Sequence, residues 1–367
     1  MRATMKMAAL AAAVLLGFVG MAGAEPVKIR VSYIVPVANW ATMLFKTPGL
    51  AQHLDKSYTF EAINFRGTPQ LIQALAAGEL EIANVGFTTF PLAVLNAGMQ
   101  DIRIISDELQ DGVPGYFSDE FVVRKDDTIK TVEDLKGRVL GVNAFGSGTD
   151  IPLRAMLRKH NMQDKRDVTI VEGPIPALPA MLLDKKIDLF PFVLPFSADP
   201  KIRPQVRTLF TQGDAMGITQ LGMWAARAEF IAKNRAAMVD FMEDALRQER
   251  WYFDPANHKQ AVQIAADVTK GPPERFDSWL FLHKGQDGDY YRDPNGRPAV
   301  ESIQASIEEQ VKLGTLKESI DVKKYLDPAQ EISSYSDRGK RNTDKALSHE
   351  RLVSPLIFSR SNTECVR

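Results

Sequence analysis

From Val27 onward the chain alternates short apolar runs with helix-patterned segments. This alternation restricts it to folds in which parallel strands are joined by helical crossovers. Val27, Ile29, Val31 and Tyr33 alternate with Lys28, Arg30 and Ser32, the pattern of a strand with one face on a core. Asn39 to Leu54 is helical in pattern, and Tyr58 to Phe65 is extended. Thr68-Pro69 opens a helix that Gly78 closes, with Leu71, Ile72 and Leu75 facing inward. Ile82 to Val85 reads as a buried strand, Thr88 to Asn96 as a helix, and Ile102 to Ile105 as a strand.

A second series follows Gly115. Phe121 to Val123 and Val139 to Val142 are strands around a short helix at Thr131 to Leu135. Gly148-Thr149-Asp150 opens a helix running to about Lys159. Val168 to Val171, Pro176 to Leu183 and Ile187 to Phe192 repeat strand, helix, strand. From Phe230 the pattern is mostly helical. Two such series and a helical return predict two α/β lobes of parallel sheets with a cleft between them. The chain is expected to cross near Tyr116–Glu120 and to return near Gly213–Gly217. Lobe one is then 25–117 plus 216–335, and lobe two is 118–215. No fixed repeat is visible, so a solenoid is disfavoured.

Residues 1–24 have the form of a signal peptide: basic Arg2 and Lys6, an apolar run from Ala8 to Val19, and small residues at Ala22-Gly23-Ala24. Cleavage after Ala24 is expected, with a periplasmic location. Residues 336–345 lack apolar periodicity, and 336–367 reads as a flexible tail. The 45 Lys and Arg nearly balance 46 Asp and Glu, and the leader takes two of the basic residues with it. Such a balance argues against a nucleic-acid partner, which needs a basic face. Cys365 is the only cysteine, which rules out an intrachain disulfide or a Cys-based metal cluster.

Function is most legible where helices begin. In an open α/β sheet the loops at strand C-termini gather at one edge, and the following helices point their N-termini there. Four such loops can be read: Pro36 to Trp40, Arg66 to Gln70, Gly86 to Thr89 and Phe145 to Asp150. Each holds small or hydroxyl-bearing residues, and a helix N-terminus favours an anion by roughly 0.3–1 kcal/mol when exposed. A single loop of this kind is more simply an N-cap; convergence of several points to a small anion.

Enzyme motifs are missing. Phe145-Gly146-Ser147-Gly148-Thr149-Asp150 has neither the small residue a dinucleotide fingerprint needs at Ile151 nor the glycines a nucleophile elbow needs at Phe145 and Thr149. The five histidines are scattered without metal-ligand spacing. Asp287-Gly288-Asp289 begins like a calcium loop, but Tyr291 stands where a ligand belongs. No cofactor is expected. Trp40 and Phe196, placed in loops, are candidate walls for an apolar or aromatic ligand, whereas Phe190 and Phe192 fit core positions equally well.

Taken in order, Ala74-Leu75-Ala76-Ala77-Gly78-Glu79-Leu80-Glu81-Ile82-Ala83, Asp134-Leu135-Lys136-Gly137-Arg138-Val139, Gly146-Ser147-Gly148 and Leu182-Leu183-Asp184-Lys185-Lys186-Ile187-Asp188 ahead of Pro195-Phe196 resemble the substrate-binding proteins of ABC importers of the aliphatic-sulfonate, taurine and nitrate type. The resemblance spans about Val27 to Leu326. It implies a two-lobed type II periplasmic-binding-protein fold with two crossover strands, a small-molecule ligand, and an ABC permease in the inner membrane as partner. Carried over residue by residue, Gly67, Thr68, Thr88 and Thr89 contact the ligand from lobe one, and Ser147 and Thr149 from lobe two. Asn39, Trp40, Gly148 and Phe196 complete the expected site. The family often has an aromatic and an acidic residue where this chain has Val193 and Leu194. That departure leans away from taurine and toward a non-amino sulfonate or an aromatic acid. A related branch makes or binds thiamine-precursor pyrimidines, and its enzymes use a Cys-rich motif absent here.

The expectation is a monomeric, non-catalytic periplasmic solute-binding protein for a small anionic organic solute. A secreted enzyme on the same fold, a ligand sensor, and a binder of thiamine-precursor pyrimidines are the alternatives.

Overall fold

The computed structural model describes residues 25–65 and 68–327, with Thr68 and Pro69 described in the main chain only. The expected leader, Gly67 and the expected tail therefore lie outside the described residues.

Strand β1 (Val27–Tyr33) buries Ile29 and Val31 and pairs in parallel with β2 (Tyr58–Asn64) along its full length. Helix α1 (Thr68–Ala76) leads to β3 (Ile82–Val85), which lies parallel to β1 on its other side. Helix α2 (Thr89–Leu95) then leads to β4 (Ile102–Asp111). The chain leaves this sheet and enters the second lobe through β5 (Glu120–Arg124). There follow β6 (Val139–Val142), helix α3 (Asp150–Lys159), β7 (Thr169–Glu172), helix α4 (Leu178–Leu183), β8 (Phe190–Phe192) and β9 (Val206–Thr211). Strand β10 (Thr219–Arg227) returns to the first sheet, whose order is β2-β1-β3-β10-β4.

In the second lobe β8-β5-β9 are joined, and β6 pairs with β7. The Gly141 N–H donates to the Leu189 carbonyl at 2.8 Å and ties β6 to β8. The lobes are thus built alike: in each, the strand that arrives from the other lobe runs antiparallel to its neighbours. β10 opposes β3 and β4, and β5 opposes β8 and β9. The sheets are therefore mixed, not purely parallel as the βα pattern predicted. A strand that enters from the far side of the cleft has to run against the set already present.

The two crossing segments, 112–119 and 212–218, touch where Gly112 meets Gly217. Gly112 has φ +76°, and a Cβ there would fall 2.4 Å from the Gly217 carbonyl oxygen, so only glycine lets the two segments approach this closely.

One face of the first sheet packs Ile29, Val31 and Trp224 against helices α5 (Arg235–Phe253) and α6 (His258–Thr269). The other face packs Val85 and Ile104 against α1, α2 and α7 (Val300–Lys312). The second lobe has its own core around Phe121, Leu140, Leu153 and Phe190. No helix among the described residues is long and apolar enough to cross a membrane.

Two segments depart from the sequence-based reading. The expected helix from Asn39 to Leu54 is a single 3-10 turn, Trp40–Thr42, followed by irregular chain. Phe45 and Gly49 adopt positive φ, and Pro48 removes a donor, so helical bonding cannot continue. Strand β4 runs six residues beyond Ile105 because Asp107, Glu108, Gln110 and Asp111 are buried, which polarity concealed.

Candidate functional site

A cavity of about 120 Å³ lies between the lobes. One buried water needs on the order of 10–15 Å³ by the same measure, so the space suits a small molecule. Its walls are the loops after β1, β3, β6, β7 and β8, all at strand C-termini, closed by β10 and by Tyr290. No Lys, Arg or His lines it among the described residues.

In lobe two, the Ser147 and Thr149 hydroxyls both donate to Asn143 Oδ1, at 2.6 and 2.7 Å. Their oxygens are occupied as acceptors. Ser147 Oγ receives the Thr149 and Asp150 N–H groups, capping α3, and Thr149 Oγ1 receives the Asn143 N–H. The two hydroxyls also lie 3.2 Å apart, and the shorter contacts direct their protons to Asn143 Oδ1; Asn143 Nδ2 is free of any partner among the described residues. Asn143, Ser147, Gly148 and Thr149 all line the cavity.

In lobe one, Asn39 reaches the cavity while its Oδ1 accepts the Ile34 and Val35 N–H groups at 3.0 and 2.9 Å. Asn84 projects from β3 and is 5% exposed, and its Nδ2 is buried without a hydrogen-bond partner among the described residues. An unpaired buried amide of this kind destabilises the fold by about 1–3 kcal/mol unless something satisfies it. Thr88 lines the cavity. Thr89 does not; its Oγ1 accepts the Gly86 N–H at 3.0 Å and belongs to the turn entering α2.

At the hinge, Asp119 lines the cavity and is 2% exposed. Its Oδ1 accepts the Tyr290 hydroxyl at 2.5 Å, and the Tyr290 oxygen in turn accepts the Leu194 N–H at 3.3 Å. Behind it, Asp111 accepts the Asp119 N–H and the Ser118 hydroxyl. Burial pushes the Asp111 carboxyl up to about 7, and burial together with the nearby Asp111 holds Asp119 well above the usual carboxylate range.

The structure corrects the placement of Trp40. Its ring is 1% exposed and stacked on Phe281 at 5.3 Å and Tyr252 at 5.8 Å, with the Arg292 guanidinium 5.2 Å above it. It is a core residue of lobe one, and only its neighbour Asn39 meets the cavity. Phe196 lies outside the inner cavity, in an adjoining groove of about 740 Å³ with Phe65, Pro174 and Pro176. The two spaces share Ile34, Val35, Asn143 and Ile175, so the groove continues the cavity outward. Gly67 lies outside the described residues, as does the side chain of Thr68.

Asn84, Asn143, Asp119 and Tyr290 were not read from the sequence. Asn143 had a signal, as the polar residue directly after a buried strand. Asp119 and Tyr290 are 171 positions apart and meet only through the fold.

The model of the NMT1-like family matches residues 22–266. Among solved structures, the chain resembles the alkanesulfonate-binding protein SsuA of Xanthomonas axonopodis pv. citri bound to MOPS, with TM-score 0.65 and 19% identity over 83% of this chain and 99% of that one. The periplasmic aliphatic sulphonate binding protein SsuA of Escherichia coli gives TM-score 0.64 and 17% identity over 82% and 97%. The periplasmic nitrate-binding protein NrtA of Synechocystis PCC 6803 gives 0.65 and 13% over 84% and 89%. No curated protein matches the chain in sequence. These likenesses show a two-lobed α/β periplasmic-binding-protein fold with mixed sheets and crossover strands.

Proposed function

The chain belongs to the NMT1-like family, and from that premise we propose that it is the extracytoplasmic solute-capturing component of an ABC importer. The solute is a small organic molecule with an acidic group, a sulfonate or an aliphatic or aromatic carboxylate. One observation carries this reading: Asn84 Nδ2 from one lobe, buried without a partner among the described residues, and Asn143 Nδ2 from the other, which donates to none of the described residues, belong to a single interlobe cavity. An oxyanion bridging them satisfies both and holds the lobes together, so binding favours closure. The amino end of α3 adds its dipole to the same side. Neutral donors suffice for a singly charged group in a dry site, where each bond to a charged partner is worth about 1.5–3 kcal/mol. The outer groove beside Phe196 takes the apolar part of the solute. The sulfonate- and nitrate-binding structures of the same fold support this chemistry. A monomer that docks on an inner-membrane permease once closed completes the proposal.

The test is a thermal-shift screen of the purified protein against sulfonates, aliphatic and aromatic carboxylates, nitrate, taurine and thiamine-precursor pyrimidines. At about 100 times its dissociation constant a ligand adds roughly 2.7 kcal/mol to stability, a readily measured rise in melting temperature. A rise confined to acid-bearing compounds is the expected result. No rise with any compound, or conversion of a compound to product, would overturn the proposal.

A further inference from the structure

We propose that the solute also carries an N–H-bearing amino group, and that Asp119 is the residue that selects it. The inference rests on the capture reading above and deepens it by naming the solute class. The network around Asp119 has a fixed direction. The Leu194 N–H donates to the Tyr290 oxygen, so the phenol proton is left to point at Asp119 Oδ1. The Asp119 N–H and the Ser118 hydroxyl both donate to Asp111. The Tyr290 and Ser118 hydroxyls and the Asp119 N–H are thereby directed into the two acids, while Asp119 Oδ2 accepts nothing among the described residues. Among the described residues no cation lines the cavity beside it.

A second observation is independent of the acids. Asn84 Nδ2, on a residue more than nine-tenths buried in the same cavity, has no partner among the described residues. The cavity therefore offers unused donors from Asn84 and Asn143 and one unengaged carboxyl oxygen, Asp119 Oδ2. A bare anion answers the donors but leaves Asp119 protonated beside the buried Asp111, with its outer oxygen unused. A molecule with both an acidic and an amino group answers both: its ammonium favours the ionised form of Asp119, whose Oδ2 then accepts an N–H. Burial and the adjacent Asp111 raise the Asp119 carboxyl, as expected of an acid without a cation beside it. The sequence has no acid at positions 193 and 194, occupied by Val193 and Leu194, which taken alone leans away from an amino ligand. The fold brings one to the same wall from the hinge, joined to Leu194 through Tyr290.

The experiment measures affinities for matched pairs differing only in the amino group: taurine and ethanesulfonate, β-alanine and propionate, 4-(aminomethyl)benzoate and 4-methylbenzoate. Wild-type protein, Asp119→Asn and Asp119→Ser are compared. Asp119→Asn can still accept from Tyr290 and removes one of two adjacent buried acids, so its melting temperature should not fall; Asp119→Ser keeps the position polar and uncharged if it does. The expected result is an amino-bearing member bound about 10- to 100-fold more tightly than its partner by wild type, with that preference lost in both variants. Equal or tighter binding of amino-free members by wild type overturns this proposal and leaves capture standing. So does a preference that survives both substitutions. Failure of every compound to bind overturns the capture reading and this one with it.

Discussion

The Asn39 carboxamide donates to Glu108 Oε2 at 3.0 Å, and through this bond a fully buried acid of β4 holds a residue of the cavity wall. The other oxygen, Oε1, accepts the Trp40 N–H at 2.8 Å and the Trp224 Nε1–H at 3.3 Å. Replacing Glu108 by Ala strands three buried donors. Loss of about 2–4 kcal/mol of stability is expected, together with weakened ligand binding because Asn39 is released. Glu108→Gln keeps one acceptor and should lose less. Urea denaturation of the two variants checks the order; equal stabilities would show that Glu108 does not support this wall.

Ser147 and Thr149 orient Asn143, and their contribution to binding is expected to pass through it. The double variant Ser147→Ala/Thr149→Ala should weaken binding about tenfold, at about 0.5–1.5 kcal/mol for each lost hydrogen bond. Asn143→Ala should weaken it at least as much, and adding it to the double variant should cause little further loss. Calorimetric titration of the three proteins measures this; additive losses would mean the hydroxyls act on the ligand independently.

Gly148 faces Leu221 across the cleft. A Cβ on Gly148 would lie 2.9 Å from Leu221 Cδ1, a contact between lobes and not within one. Gly148→Ala is therefore expected to hinder closure and weaken binding about tenfold, within the range of overpacking penalties, while the melting temperature of the unliganded protein stays unchanged. Leu221→Ala in the same chain should restore most of the affinity. A lower melting temperature without a change in affinity would place the strain inside a lobe.

Stability should decline from pH 5 to pH 8.5. Burial raises Asp107 to about 7, Glu108 to about 8 and Asp111 to about 7. Between the unfolded carboxylate range, near 4, and these folded values the native state binds more protons than the unfolded state. The stability they contribute is complete below the unfolded value and is lost as pH rises through the folded ones. Urea midpoints across this window test the sign, and a midpoint that rises with pH would contradict it.

What the sequence determined by itself is local. Alternation revealed β1, because Ile29 and Val31 are buried on one face while Lys28 and Arg30 on the other reach solvent, and the Thr68-Pro69 start and Gly78 stop of α1 are chemistry of neighbouring residues. The loop residues 145–150 could be recognised as a helix entry for the same reason. Tertiary structure decided the rest. Strand β10 is buried on both faces, so no alternation marks it, and its antiparallel course follows only from its return across the cleft. Trp40 looked like a cleft residue until Phe281 and Tyr252, more than 200 positions away, closed over it. The pairing of Asp119 with Tyr290 and the placing of Asn84 and Asn143 in one cavity have no local signature. A hydrogen bond between distant residues depends on how two lobes pack, and packing is a property of the whole chain.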